Sequence, residues 1–263
     1  MRSINGCSMP GESSVKDIGR EFIERTKYRY LEPSDQMRGV PPPQVELGRK
    51  NDKAPVQLPD PGSVRTGGVS VKEAIERRVS VRTYSQKTLS LPELSYLLWC
   101  TQGIKEIVHG YVTLRTVPSA GARHAFETYL LVNRIDGLKP GLYRYLAVGH
   151  ALEPLHLDIH AADSITEACF GQDFVKGSAA TFIWAAVPYR MKWRYGERGY
   201  RYLYLDAGHV CQNLYLAAES IDCGVCAIGA FSDDDMNNLI GIDGIDQFVI
   251  YLATVGKKTT ERV

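Results

Sequence analysis

Apolar and polar positions change rhythm along this chain, and the changes mark its elements. Ser70-Val-Lys-Glu73 carries the serine and the glutamate three residues later that tie a helix's first turn. Val71, Ala74 and Ile75 then follow at helical spacing. Ser90-Leu-Pro-Glu93 repeats the signal ahead of Leu94, Leu97 and Leu98. Residues 125–133 (AFETYLLVN) and 141–148 (GLYRYLAV) read as two strands joined by a turn at 137–140. Residues 181–187 (TFIWAAV) are continuously apolar, as a strand buried on both faces requires. The stretch 206–220 (DAGHVCQNLYLAAES) is apolar around most of its circumference and predicts a central helix. Ser232-Asp-Asp-Asp235 opens another helix, and 247–255 (QFVIYLATV) closes the pattern as a core strand.

Residues 1–67 follow a different rule. Ser14-Val-Lys-Asp17 predicts a helix running to about Tyr30. Pro33, Pro41, Pro42, Pro43, Pro55, Pro59 and Pro61 then forbid helix and favour extended chain. Val45, Leu47, Val56 and Leu58 recur among polar residues, so the segment is expected to lie against its own core or a partner subunit; disorder is the alternative. The organisation expected is an N-terminal arm, residues 1–67, followed by one α+β domain, residues 68–263.

Composition narrows the class. A 44% hydrophobic content with 15 Tyr and 7 Phe is enough for a sizeable core without disulfides or metals. Lys and Arg number 31 against 30 acidic residues, and no basic stripe interleaves with aromatics, which argues against nucleic acid. No apolar run reaches the roughly 18 to 20 residues of a membrane helix. Met1–Lys16 is polar without a secretory apolar region, so a cytoplasmic protein is expected. The cysteines at 7, 100, 169, 211, 223 and 226 are scattered and read as reduced thiols. Cys223-Gly-Val-Cys226 has half of a zinc spacing, but no second pair answers it, so core thiols and no metal are expected.

Three stretches carry candidate chemistry. In an extended Val79–Tyr84, Arg78, Ser80 and Arg82 point the same way, and two guanidiniums with a hydroxyl suit a phosphate. A solvated basic helix end is the other reading. In Arg115–His124, small residues after Pro118 allow backbone to approach a flat ligand. Ala227-Ile-Gly-Ala-Phe231 breaks a strand before a helix, and Gly229 can expose an amide there. Among the histidines, His124 lies by the second stretch, while His209 reads as a satisfied core residue.

The order of these stretches resembles the nitroreductase superfamily: Arg-Arg-x-Ser-x-Arg-x-aromatic, then Pro-Ser-Ala-Gly before a strand, then Ile-Gly-Ala-Phe and a terminal Val-Gly-Lys. Pro118–Gly121, Gly141-Leu-Tyr-Arg-Tyr145, Tyr195-Gly-Glu-Arg-Gly-Tyr-Arg201 and Asp206-Ala-Gly-His209 are similar to the SagB/ThcOx-like branch, which includes peptide azoline dehydrogenases. The likeness covers about residues 68–258. It implies a nitroreductase-like fold, a mostly antiparallel sheet flanked by helices, and a homodimer with two FMN molecules at the subunit interface.

By the same resemblance Arg78, Ser80 and Arg82 hold the FMN phosphate, with Lys257 adding charge. Pro118, Ser119, Ala120 and Gly121 cover the isoalloxazine from the second subunit. Ala227, Ile228, Gly229 and Ala230 lie along the ring with the Gly229 amide near N5, and Gln172 adds a polar contact. Where the branch's azoline dehydrogenases use a Lys-Tyr pair for proton removal, this chain has Arg194 and Tyr195. Arginine is a poor base. Tyr195 can carry the proton if Arg194, Arg198 or Arg201 lowers its pKa; Lys192 substitutes only on a different backbone path. The function implied is FMN-dependent hydride transfer between NAD(P)H or a small substrate and flavin. Two alternatives stay open: an azoline dehydrogenase working on a peptide with a cyclodehydratase partner, and a flavin carrier or sensor without turnover.

Overall fold

Seven strands pair edge to edge, every neighbour antiparallel, in the computed structural model, which describes residues 17–259. In chain order the strands are β1 (Val56–Gln57), β2 (Ile104–Val108), β3 (Val112–Arg115), β4 (Phe126–Val132), β5 (Gly141–Leu146), β6 (Ala151–His156), β7 (Ala180–Ala186), β8 (Cys223–Ile228) and β9 (Phe248–Lys257). The helices are α1 (Ile18–Arg25), α2 (Val71–Arg77), α3 (Leu91–Gln102), α4 (Ala161–Ala168), α5 (Phe174–Gly177), α6 (Pro188–Tyr195), α7 (Gly199–Glu219) and α8 (Asp233–Ile240). The sheet order is β1-β6-β5-β4-β7-β9-β8, with β2 and β3 forming a separate hairpin. The α+β, mostly antiparallel architecture expected from the sequence is the one observed.

Period-two alternation divides the core. Leu130, Val132, Phe182, Trp184, Ala253 and Val255 face α3 and α7, where Leu97, Leu98, Leu203 and Leu214 pack. Their strand neighbours Tyr129, Leu131, Ile183, Ala185 and Leu252 face α4 and α8, against Ile165 and Met236. Both capping boxes form: Ser70 accepts from the Glu73 amide and Ser90 from the Glu93 amide, and each glutamate reaches back. The helix expected from residue 206 starts about two turns earlier, at Gly199. Tyr200, Tyr202 and Tyr204 broke the apolar pattern there without breaking the helix. Cys223 and Cys226 both lie buried within β8.

The helix expected from Ser14 begins at Ile18 and ends at Arg25; Ser14 lies outside the described residues. The rest of the arm is bound to its own domain. β1 pairs with β6, and residues 44–51 form a strap over the far end of the sheet. Two buried ion pairs, Arg144–Glu153 and Arg190–Glu127, lie beneath it. Buried charges are stable only when their remaining donors and acceptors are satisfied. The strap's backbone does this in part, leaving Arg144 Nε and Nη1 buried without a hydrogen-bond partner. Arg190 Nε donates to Gln44 O (2.8 Å), Arg115 Nη2 to Val45 O (3.2 Å) and Arg144 Nη2 to Gly48 O (2.8 Å). In return Glu127 accepts from the Leu47 amide (3.1 Å), and Glu153 from those of Lys50 (2.7 Å) and Asn51 (3.1 Å). Among the described residues no helix is long and apolar enough to cross a membrane.

Candidate active site

The first half of the site forms where α2 ends. Arg78 caps the helix, and the following residues run beside β8, with the Val81 amide donating to Val225 O (2.9 Å). Gly224 permits this approach, since a Cβ there would lie 2.6 Å from Val81. Tyr215, from α7, ties the segment to the late turn: its hydroxyl accepts from the Ala227 amide (2.9 Å) and lies 3.1 Å from Ser80 Oγ. The Arg78 guanidinium sits 5.2 Å from the Tyr215 ring centroid. Arg77 pairs with Glu73, whereas among the described residues neither Arg78 nor Arg82 meets a carboxylate.

Beyond Ala227 the chain leaves the sheet. Gly229 and Ala230 are exposed, and an added Cβ at Gly229 would touch nothing within 4 Å. Gln172 Nε2 donates to Ala230 O (2.9 Å), so this residue does join the late turn. Ile228 instead points into the α4–α8 core at 2% exposure and supports the turn from behind. Lys257 is not drawn into the group, because its ammonium donates to Glu93 and to Ile221 O (2.9 Å).

The second half is the 118–121 loop. Ser119 Oγ accepts from the His124 amide (2.9 Å), and Asp206 of α7 accepts from the Ala120 amide (3.2 Å). Burial raises the Asp206 pKa, opposed by hydrogen bonds from Ser119 and Ala120. Gly121 has φ 57°, and a Cβ on it would fall 2.4 Å from Tyr195 Oη and 2.9 Å from Arg194 Cδ and Nε. Arg194 and Tyr195 therefore lie folded against the loop. The Tyr195 ring is edge-on to Tyr202 at 4.8 Å, with the Arg194 guanidinium 5.7 Å from its centroid.

The other cations considered for Tyr195 are engaged elsewhere. Arg198 stacks on Tyr28 (4.2 Å) and donates to Tyr202 Oη (2.9 Å), Arg201 donates to Thr26 Oγ1 (2.6 Å), and Lys192 pairs with Glu197 (2.8 Å). His124 is buried beside Arg115 and Arg123; desolvation first, then those charges, push its pKa down to about 3. His209, expected in the core, is exposed in mid-helix, on the solvent face it shares with Tyr204, Leu205 and Gly208.

Asp206 and Tyr215 show how the halves relate. They lie nine residues apart on one helix, which at 1.5 Å and 100° per residue puts them about 13 Å apart on opposite sides. Arg78, Ser80, Ala227, Ala230 and Gln172 thus gather on one side of α7, and Ala120, Gly121, Arg194 and Tyr195 on the other. Sequence reasoning missed Tyr215 and Arg123. A tyrosine inside an apolar helix looks like core, and only the fold shows that its hydroxyl is shared. Asp206 was visible only as part of a motif.

The match of the Nitroreductase family model spans residues 75–257, which holds both halves. A Methanocaldococcus jannaschii protein named "Putative nitroreductase MJ1384" is 33% identical over 207 residues, covering 79% of this chain and 98% of that protein. The trifolitoxin-processing protein TfxB of Rhizobium leguminosarum bv. trifolii is 32% identical over 139 residues, 50% of this chain and 37% of TfxB. A nitroreductase structure from Ralstonia eutropha, also described as putative, shares the fold with TM-score 0.65 at 24% identity, covering 83% of this chain and 95% of that one. On the extent of the family match and the full-length archaeal relative, the chain belongs to the nitroreductase family of oxidoreductases.

Proposed function

We propose that the protein is an FMN-dependent enzyme of the cytoplasm, moving hydride equivalents between NAD(P)H or a small substrate and its flavin, and that it works as a homodimer. The observation that carries this reading is the split of the site across α7. One copy directs its cationic segment and its loop to opposite sides of a helix, so a second copy is needed to set a loop over a clamp. Exposed apolar residues support that pairing: Val71 and Ile75 on α2, Val79 just after it, and Tyr204 and Leu205 on α7 are 55–71% exposed.

The donor set fits the flavin phosphate. Arg78 and Arg82 are permanent cations without carboxylate partners among the described residues, Ser80 adds a hydroxyl, and the open backbone at Gly229 and Ala230 leaves amides for a planar ring. When bound, FMN supplies a two-electron carrier that accepts or returns hydride at N5. The protein's own part is to orient and to handle protons. Arg78 and Arg82 anchor the phosphate, the 118–121 loop limits access of water, and Tyr195 Oη exchanges a proton with the substrate.

The test is direct. The purified protein is expected to be yellow and to release FMN rather than FAD on denaturation, and Arg78→Ala with Arg82→Ala is expected to weaken FMN binding by on the order of a hundredfold or more. A colourless protein that takes up no added FMN refutes the reading. A second reading, an azoline dehydrogenase acting on a peptide with a cyclodehydratase, is favoured by the likeness to TfxB. It predicts that loss of Tyr195 abolishes substrate oxidation while NADPH oxidation persists.

A further inference from the structure

Outside the clamp, a further charge without a carboxylate partner among the described residues lies at Gly121. Arg123 is only 8% exposed, yet its guanidinium has no carboxylate partner among the described residues. Its Nε donates to Gly121 O (3.2 Å), and its plane stacks on Trp193 at 5.1 Å. Arg194 folds over the same glycine from the end of α6, also without an acid. The acidic groups of this region are occupied. Glu197 pairs with Lys192, and Asp206 accepts from Ala120 on the inner side of the loop. Burial, and after it the charge of Arg194, lowers the Arg123 pKa. Two guanidiniums against one glycine, with the Tyr195 hydroxyl beside the same glycine, form a ready oxyanion receptor.

We propose that Arg123, Arg194 and Tyr195 bind an oxyanion of the molecule that enters the site, so the enzyme selects acidic substrates. This rests on the flavin reading above for its chemistry, though not for its binding. A carboxylate of the substrate or a phosphate of the nicotinamide nucleotide can supply the charge. In either case Arg123 is pre-set by Trp193 and Gly121 O, while the exposed Arg194 closes over the ligand from outside.

The test compares 4-nitrobenzoate with its neutral isostere 4-nitrobenzamide as acceptors of NADPH oxidation by the FMN-loaded protein. Binding of 4-nitrobenzoate is measured in parallel by calorimetry. The expected result is a KM at least tenfold lower for the benzoate, with that ratio falling about tenfold in Arg194→Gln and in Arg123→Gln and largely kept in Arg123→Lys. If instead the variants erase a preference for NADPH over NADH, the oxyanion is the nucleotide's phosphate, which also upholds the site. No preference in either pair, with calorimetric binding that neither variant changes, overturns it. Should Arg123→Gln fail to fold, Arg194→Gln on the exposed rim decides alone. A protein without flavin or turnover would fail the flavin reading, and calorimetry would still report on the anion site.

Discussion

Tyr215→Phe is the most informative single change, because it removes one oxygen and leaves the packing of α7 intact. That oxygen accepts from the Ala227 amide and bonds with Ser80 Oγ. Ser80 is exposed and can turn to water, so its loss costs little. The Ala227 amide is half-buried where β8 ends, and orphaning a fully buried donor costs about 1–3 kcal/mol. Partial access to water reduces this to about 1–2 kcal/mol, or a fall in Tm of about 2–8 °C. Urea denaturation of flavin-free protein measures the stability term, and FMN titration by fluorescence measures its effect on the site. Because the hydroxyl holds the clamp segment to the late turn, FMN binding is expected to weaken about tenfold, a change of about 1.4 kcal/mol. Ser80→Ala is expected to cost under about 0.5 kcal/mol in stability. Equal losses in the two variants, or a Tyr215→Phe protein with wild-type stability and FMN affinity, would refute the proposed link.

Two further changes probe the other half of the site. Gly121→Ala places a Cβ 2.4 Å from Tyr195 Oη at a φ of 57°. The left-handed backbone alone costs about 1–2 kcal/mol, so denaturation should show at least that loss, and a variant as stable as wild type would contradict the close approach of Tyr195 to the loop. For His124 the folded pKa, about 3, lies below the ordinary histidine value of 6.5. Its contribution is therefore complete well above pH 6.5 and is lost as pH falls toward 3, by up to about 1.4 kcal/mol per pH unit, or about 2.3 kcal/mol between pH 6.5 and 4.5. His124→Asn, which tolerates the native φ of 42°, should show a shallower acid loss over that window in urea titrations. Parallel curves for the two proteins would rule out His124 as the cause.

Much of the fold was legible because local signals agreed with the final packing. The capping boxes at Ser70 and Ser90 place α2 and α3 to the residue, and the uninterrupted apolar run at 181–187 marks the strand buried on both faces at the centre of the sheet. The start of α7 was misplaced because its first turns carry tyrosines and arginines that serve α1 and the rim, and their polarity reflects a tertiary contact. The site was legible in its parts but not in its arrangement. Spacing in an extended chain put Arg78, Ser80 and Arg82 together, yet no spacing rule brings Arg123 against Arg194 across 71 positions, nor Gln172 against Ala230 across 58. Lys257 shows the opposite failure. Its position resembled that of a phosphate ligand, while the register that sets it opposite Cys223 turned its side chain toward Glu93.

The strap across residues 44–51 has a consequence for what the arm's sequence can tolerate. Its bonds to Arg190, Arg115, Arg144, Glu127 and Glu153 run almost entirely through main-chain carbonyls and amides. The domain therefore reads the arm by path and length, not by residue type. Most side chains along it can be exchanged without breaking one of these bonds, while a single inserted or deleted residue would put the next carbonyl out of step with its guanidinium. Tolerance to substitution and intolerance to indels would follow from the same six backbone groups.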